Sequence, residues 1–139
     1  VWPTAVLRGD VHRIEIGART NIQDGAIVHV AHKGPYQAGH PAIVGEEVTV
    51  GHRATIHACT VGSRVLVGMG ATVLDEAVVE DEVIIGAHAL VPTGRRLKSG
   101  YLYLGSPARA VRELTATERE QLRYSAVHYT RVMARHRAD

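Results

Sequence analysis

Val44-Gly45-Glu46-Glu47-Val48-Thr49-Val50-Gly51-His52-Arg53-Ala54-Thr55-Ile56-His57 carries an aliphatic residue at every sixth place: Val44, Val50 and Ile56. After one missing residue the series resumes at Val61 and continues through Val67, Val73, Val79, Ile85 and Val91. Four places after most of these stands a small or β-branched residue: Val48, Ala54, Val65, Ala71, Ala77, Val83, Ala89. A period of six fits neither a helix nor an ordinary alternating strand; it is the hexapeptide repeat of a parallel β-helix. Upstream, Ile16, Ile22 and Val28 keep the same phase, with Thr20 and Ala26 in the small column. About eighty residues thus belong to one coil.

Three hexads make one turn if the coil is the left-handed triangular form. Val28 and Val44 are separated by ten residues more than a hexad needs, so residues 31–42 are expected to leave the coil as a loop. With that loop set aside, Val28 and Ile56 lie one turn apart, and His29 and His57 stack on adjacent coils at roughly 4.8 Å. Two imidazoles so placed can reach one ion with Zn–N bonds of about 2.0–2.1 Å. His52 follows Val50 on a different side of the prism and cannot easily join them within one chain. A ring of three subunits resolves this, because a closed heterologous interface sets one side of each subunit against a different side of the next. The site would be His29 and His57 of one chain with His52 of its neighbour.

The same columns hold other polar residues. One turn below Val28 lies Leu7, which places Arg8 under His29; one turn below Val50 lies Ile22, which places Asp24 under His52 with Gln23 beside it. Arg8 of one chain would then face Asp24 of the next, with Asp10 bracing the guanidinium from its own chain. Each residue also has an ordinary reading: a single outward histidine on such a coil is usually surface, and His12, His40, His88 and His136 are read so. Three histidines in stacking register beside Arg8 and Asp24 are what point to a metal.

Composition agrees. The 139 residues include no Phe and carry a net charge of +2 with acids and bases interspersed. A narrow prism interior takes Val, Ile, Leu and Ala, and its core is a continuous stack of repeats. No basic stripe suggests nucleic acid, and no apolar run is long enough to span a bilayer. The single Cys59 excludes an internal disulfide framework and fits a reducing, cytoplasmic setting. The chain starts without Met inside the repeat, which leaves room for an upstream targeting segment.

Beyond Val91-Pro92 the hexads fade into Gly94, Gly100 and the turn Gly105-Ser106-Pro107-Ala108-Arg109. From about Thr117 the pattern is helical. Thr115 or Thr117 can cap, each with a glutamate three residues on, and Leu122, Ala126, Tyr129, Met133 and His136 repeat at three and four. The division expected is a left-handed β-helix over residues 1–114 and a C-terminal α-helix over 115–139 packed on the prism wall, with Tyr124 and His128 near a subunit junction. Arg119, Arg123, Arg131 and Arg135 read as a solvated face, and Cys59 as packing.

Arg8-Gly9-Asp10, Asn21-Ile22-Gln23-Asp24-Gly25, His29, and Val50-Gly51-His52 through Ile56-His57 together resemble the motifs of γ-class carbonic anhydrases and their bacterial relatives. The resemblance covers nearly the whole chain. It implies a homotrimer with zinc, or iron or cobalt, at each interface, held by His29, His57 and a neighbour's His52. It further implies that Gln23 contacts the metal-bound water, while Arg8, Asp10 and Asp24 form an interface salt-bridge cluster near bicarbonate. The expected activity is carbon dioxide hydration by metal-bound hydroxide, since zinc lowers the pKa of bound water to about 7. One departure concerns the proton: where the best-known members have acidic residues, this chain has Val11 and His32, so His32 on the loop is the candidate shuttle. Two other readings compete. Hexapeptide repeats also build enzymes of CoA thioesters, as acyltransferases or hydrolases, and a trimer could keep its metal yet turn over little, which Val11 favours.

Overall fold

The computed structural model describes residues 1–138. Asp139, the expected end of the helix, lies outside the described residues. The chain forms a left-handed, three-walled solenoid of parallel strands. The first wall stacks Val6–Arg8, Ile27–His29, Thr55–His57, Thr72–Val73 and Leu90–Val91; the second runs from Ile14–Ile16 through Ala42–Val44 to Arg96–Leu97. The third runs from Asn21–Ile22 through Thr49–Val50, Leu66–Val67 and Ile84–Ile85 to Tyr101–Leu104. The antiparallel strand Arg109–Glu113 closes it.

The register follows from the aliphatic column. Leu7 pairs with Val28, Val28 with Ile56, Ile56 with Val73 and Val73 with Val91. Val28, Ile56, Val73 and Val91 are wholly buried, and the small-residue column (Ala26, Ala54, Ala71, Ala77) is equally inaccessible because it fills the narrow space behind each corner. Burying each aliphatic side chain contributes about 1.5–3 kcal/mol. Ile56→Ala, at the centre of this stack, would cost about 2–5 kcal/mol.

The coil extends further than the fading hexads suggest. Leu97 and Tyr103 continue the six-residue column from Val91 and are buried. The Tyr103 hydroxyl accepts a hydrogen bond from the Lys98 amide at 2.8 Å, which satisfies the one polar atom it brings inside. The expected loop is a hairpin: Ala31 pairs with His40 and Gly34 with Gln37, with Tyr36 at the exposed tip. It closes before residue 42, since Ala42 already lies buried in the second wall.

One corner repeats a left-handed backbone at Arg19, Glu47, Arg64 and Glu82, with φ of 57°, 58°, 53° and 54°. Holding L-residues there costs about 1 kcal/mol or more each, offset by inter-coil bonds such as Arg64 N to Glu46 O at 2.9 Å and Glu82 N to Ser63 O at 3.0 Å. The side chains form an alternating ladder, with Arg19 on Glu47 at 2.8 Å and Arg64 within 3.5 Å of Glu82. The helix Ala116–Ala138 fastens to its end: Arg119 and Arg123 both donate to Glu82. Arg123 stays exposed, in keeping with the solvated face expected from the sequence, while Arg119 is half-buried in its ion pair. Thr115 is the cap. Its Oγ1 accepts from the Glu118 amide at 3.1 Å while Glu118 accepts from the Thr115 amide at 2.9 Å, a reciprocal capping box. Leu122 and Ala126 bury the helix against the third wall, the wall that carries His52. No helix is long and apolar enough to cross a membrane among the described residues.

Candidate functional site

Parallel pairing in the first wall puts Arg8 opposite His29 and His29 opposite His57. Each histidine follows a buried aliphatic residue, Val28 or Ile56, and strand alternation turns it outward. His29 Nδ1 and His57 Nε2 approach to 3.3 Å, with ring centroids 5.2 Å apart. The opposite nitrogens meet carboxylates: His29 Nε2 lies 3.0 Å from Asp10 Oδ1, and His57 Nδ1 lies 2.5 Å from Asp75 Oδ1. An ionised carboxylate only accepts, so those two nitrogens donate and the two facing nitrogens keep their lone pairs. Converging lone pairs repel unless a cation or proton lies between them. A tetrahedral zinc ion with bonds of about 2.0–2.1 Å holds its ligand nitrogens about 3.3–3.4 Å apart, which matches this pair. The two imidazoles thus fit half of a divalent-metal site.

Asp10 serves two partners, accepting from Arg8 Nη1 as well as from His29. Its carboxyl is held below the ordinary carboxylate range, chiefly by the His29 hydrogen bond, against some desolvation and with Arg8 adding to the lowering. Asp10 thus ties the Arg8 guanidinium to the His29 ring within one chain.

His52 stands on the third wall, where Ile22 pairs with Val50 and the following residues bring Gln23, Asp24 and His52 to one place. They line a cavity of about 200 Å³ together with Trp2, Tyr129 and Val132. Gln23 is buried and donates to Asn21 Oδ1 at 3.2 Å, while Asn21 donates to Thr49 Oγ1 at 3.2 Å. That row fixes the amide beneath His52. Arg8 and Asp24 lie on different walls and are not brought together within the chain. Among the described residues, no group of three or more His, Cys, Asp or Glu side chains is arranged to hold a metal ion.

His32 is tied to its own hairpin, with Gln37 Nε2 3.3 Å from its Nδ1 and donating to its carbonyl at 2.8 Å. Tyr124 and His128 stack on each other, centroids 5.7 Å apart, and Tyr124 is exposed. The helix residues that reach the His52 cavity are Val132 and Tyr129, the latter edge-on to Trp2 at 6.4 Å. Reading Tyr129 as part of the packed helix face concealed this, although that face lies on the His52 wall. Asp75, the carboxylate on His57, belongs to no motif of the sequence.

No family model matches the chain. It is 58% identical over 132 residues to Protein YrdA of Escherichia coli, covering 94% of this chain and 72% of that protein. It is 43% identical to the "Probable carbonic anhydrase" of Methanocaldococcus jannaschii, covering 95% of this chain and 79% of that one. Identity is also 43% to "Gamma carbonic anhydrase 1, mitochondrial" of Arabidopsis thaliana, over all of this chain but 50% of that protein. Among solved structures, a hexapeptide transferase family protein from Anaplasma phagocytophilum superposes with a TM-score of 0.85 at 40% identity, covering 94% of this chain and 74% of that one. The chain belongs to the superfamily of γ-class carbonic anhydrases and hexapeptide-repeat acyltransferases.

Proposed function

We propose that this chain assembles as a homotrimer, that each junction forms a divalent-metal site from His29 and His57 of one subunit and His52 of the next, and that the site hydrates carbon dioxide reversibly. The observation that carries this reading is the 3.3 Å approach of two imidazole nitrogens, each imidazole backed by a carboxylate. A third ligand on another wall suits a ring in which unlike walls meet. Exposed apolar side chains favour such a contact, with Val6 and Ile27 beside the Arg8–His29 column and Met69 beside His52.

The all-imidazole ligand set suits zinc, with iron or cobalt as alternatives. Zinc held there would acidify water to near neutrality, so that hydroxide is available to attack the carbon of carbon dioxide. Gln23, fixed by Asn21 and Thr49, would orient that nucleophile through its amide. Arg8, held by Asp10 and paired with Asp24 of the neighbouring subunit, would balance the charge of bicarbonate. His32 would carry the released proton from the hairpin to buffer, in a region where Val11 offers no acid. Tyr124 and His128 would lie along the junction.

A second reading draws wider support from the comparisons: the Anaplasma protein is named as a transferase, and the superfamily includes acyltransferases. In that case water or an imidazole at the same junction would attack the acyl carbon of a CoA thioester, the C–S bond would break with CoA leaving as the thiol, and the acyl group would pass to water or to an acceptor. A trimer that holds metal and turns over little is the third reading. The deciding experiment is metal analysis of protein purified with and without oxygen, then carbon dioxide hydration and acetyl-CoA hydrolysis and transfer assays on each sample. Hydration that scales with metal content supports the first reading; acyl chemistry without hydration replaces it, and metal without either activity leaves the scaffold.

A further inference from the structure

The carboxylate behind His57 comes from outside every motif of the chain. Asp75 lies 18 residues beyond His57, on the next coil, immediately before the corner residue Glu76 with its φ of 62°. Val73 pairs with Ile56, so Asp75 sits one residue past the position stacked on His57 and reaches back to it. The corner is anchored on both sides: Glu76 N donates to Ala58 O at 2.7 Å, and Gly94 N donates to Asp75 O at 2.9 Å. A carboxylate on such backbone has little freedom to leave its partner.

Two tautomers of neutral His57 compete. With the proton on Nε2, His57 could donate to His29 Nδ1 across the 3.3 Å gap, a hydrogen bond closed within the pair that uses up both lone pairs a cation needs. With the proton on Nδ1, the ring donates to Asp75 Oδ1 at 2.5 Å and Nε2 stays bare toward His29. A charge-assisted hydrogen bond is roughly twice as strong as a neutral one, so Asp75 decides the competition for the second form.

We propose that Asp75 is the positioning residue of His57: it holds the Nδ1–H tautomer and thereby sets the affinity of the His29–His57 pair for a divalent cation. The affinity half of this inference rests on the metal reading above; the tautomer half does not. Carboxylates that orient metal-binding histidines in this way change affinity by about ten- to a hundredfold when altered.

The test uses the full chain as wild type and as Asp75→Asn, whose amide can present N–H to Nδ1 and so favours the wrong tautomer at nearly constant shape. Ring ¹⁵N shifts of His57 are read in metal-free protein at about pH 9, well above the ordinary histidine range near 6.5. Zinc affinity is then read by competition with a chromophoric chelator, alongside the melting temperature. The expected result is Nδ1–H in wild type, movement toward Nε2–H in Asp75→Asn, and about ten- to hundredfold weaker zinc with little change in melting. Nε2–H in wild type, or zinc affinity in Asp75→Asn within about threefold of wild type, overturns the inference. Should Asp75→Asn fail to fold, the wild-type ring shifts still decide the tautomer. A wild type with Nδ1–H that binds no zinc sinks the metal site and leaves the tautomer assignment standing.

Discussion

Arg119 of the C-terminal helix donates to Glu82 at a prism corner, and Arg123, four residues on, reaches the same carboxylate. Glu82 is among the less exposed acids of the chain and also faces Arg64 at 3.5 Å, so one carboxylate answers three guanidiniums. Glu82→Gln keeps the volume and removes the charge. It is expected to cost about 1–2 kcal/mol, discounted because the arginines are partly solvated, and to lower the melting temperature by several degrees. Protease should also cut the helix sooner. An unfolding free energy within about 0.5 kcal/mol of wild type would show that Glu82 does not fasten the helix.

The helix start carries a pH dependence. The Glu118 carboxyl is lowered to about 2, first by hydrogen bonds from Arg112 and then by the Thr115 amide. A depressed carboxylate contributes stability that is complete above its ordinary value of 4.5 and is lost as pH falls toward 2. Circular dichroism melts taken between pH 5 and about 2 should therefore converge for wild type and Glu118→Gln, with the wild type more stable only at the upper end. A constant difference across that range would mean the capping box does not depend on the ionised acid.

The coil was readable because its constraint is periodic: an inward aliphatic residue every six places forces the register, and the pairs Leu7–Val28 and Val28–Ile56 follow from counting. The same counting brings Arg8, His29 and His57 into one column. Corners escape such reasoning. Asp75 and Glu82 lie where side chains point outward with no hydrophobic requirement, and their partners are 18 and 37 residues away. Stepping by whole turns would have found the ladder, since Arg64 and Glu82 are one turn apart, but alternating charges at a corner read naturally as solvated. Tyr103 was hidden for another reason: an aromatic ring breaks the aliphatic column, although its hydroxyl finds a partner in the Lys98 amide.

Cys59 sits two residues beyond His57, yet it faces inward and is wholly buried. Burial pushes its thiol up to about 12, because the thiolate would lose its hydration. Native protein at pH 8 is expected to react negligibly with a thiol reagent such as 5,5′-dithiobis(2-nitrobenzoate), and to release one equivalent per chain once unfolded in guanidinium. Reaction at the rate of a free thiol in the native state would place Cys59 outside the core.

The proposed junction makes a prediction that a single-chain site cannot imitate. His29→Ala leaves His52 intact, and His52→Ala leaves the His29–His57 pair intact, so each variant alone should form no three-histidine site. If chains of the two kinds are unfolded together in equal amounts and reassembled, a junction is complete when the His52→Ala chain offers His29 and His57 to a neighbour of the other kind. Random closed rings contain that arrangement at about one junction in four. Zinc retained after chelator treatment should therefore rise from near zero to about a quarter of the wild-type content, and any hydration or acyl activity that belongs to the site should return in proportion. Recovery of metal without activity would separate the site from the chemistry. No recovery, with mixed rings confirmed by mass spectrometry, would mean that His52 does not complete the site across the junction.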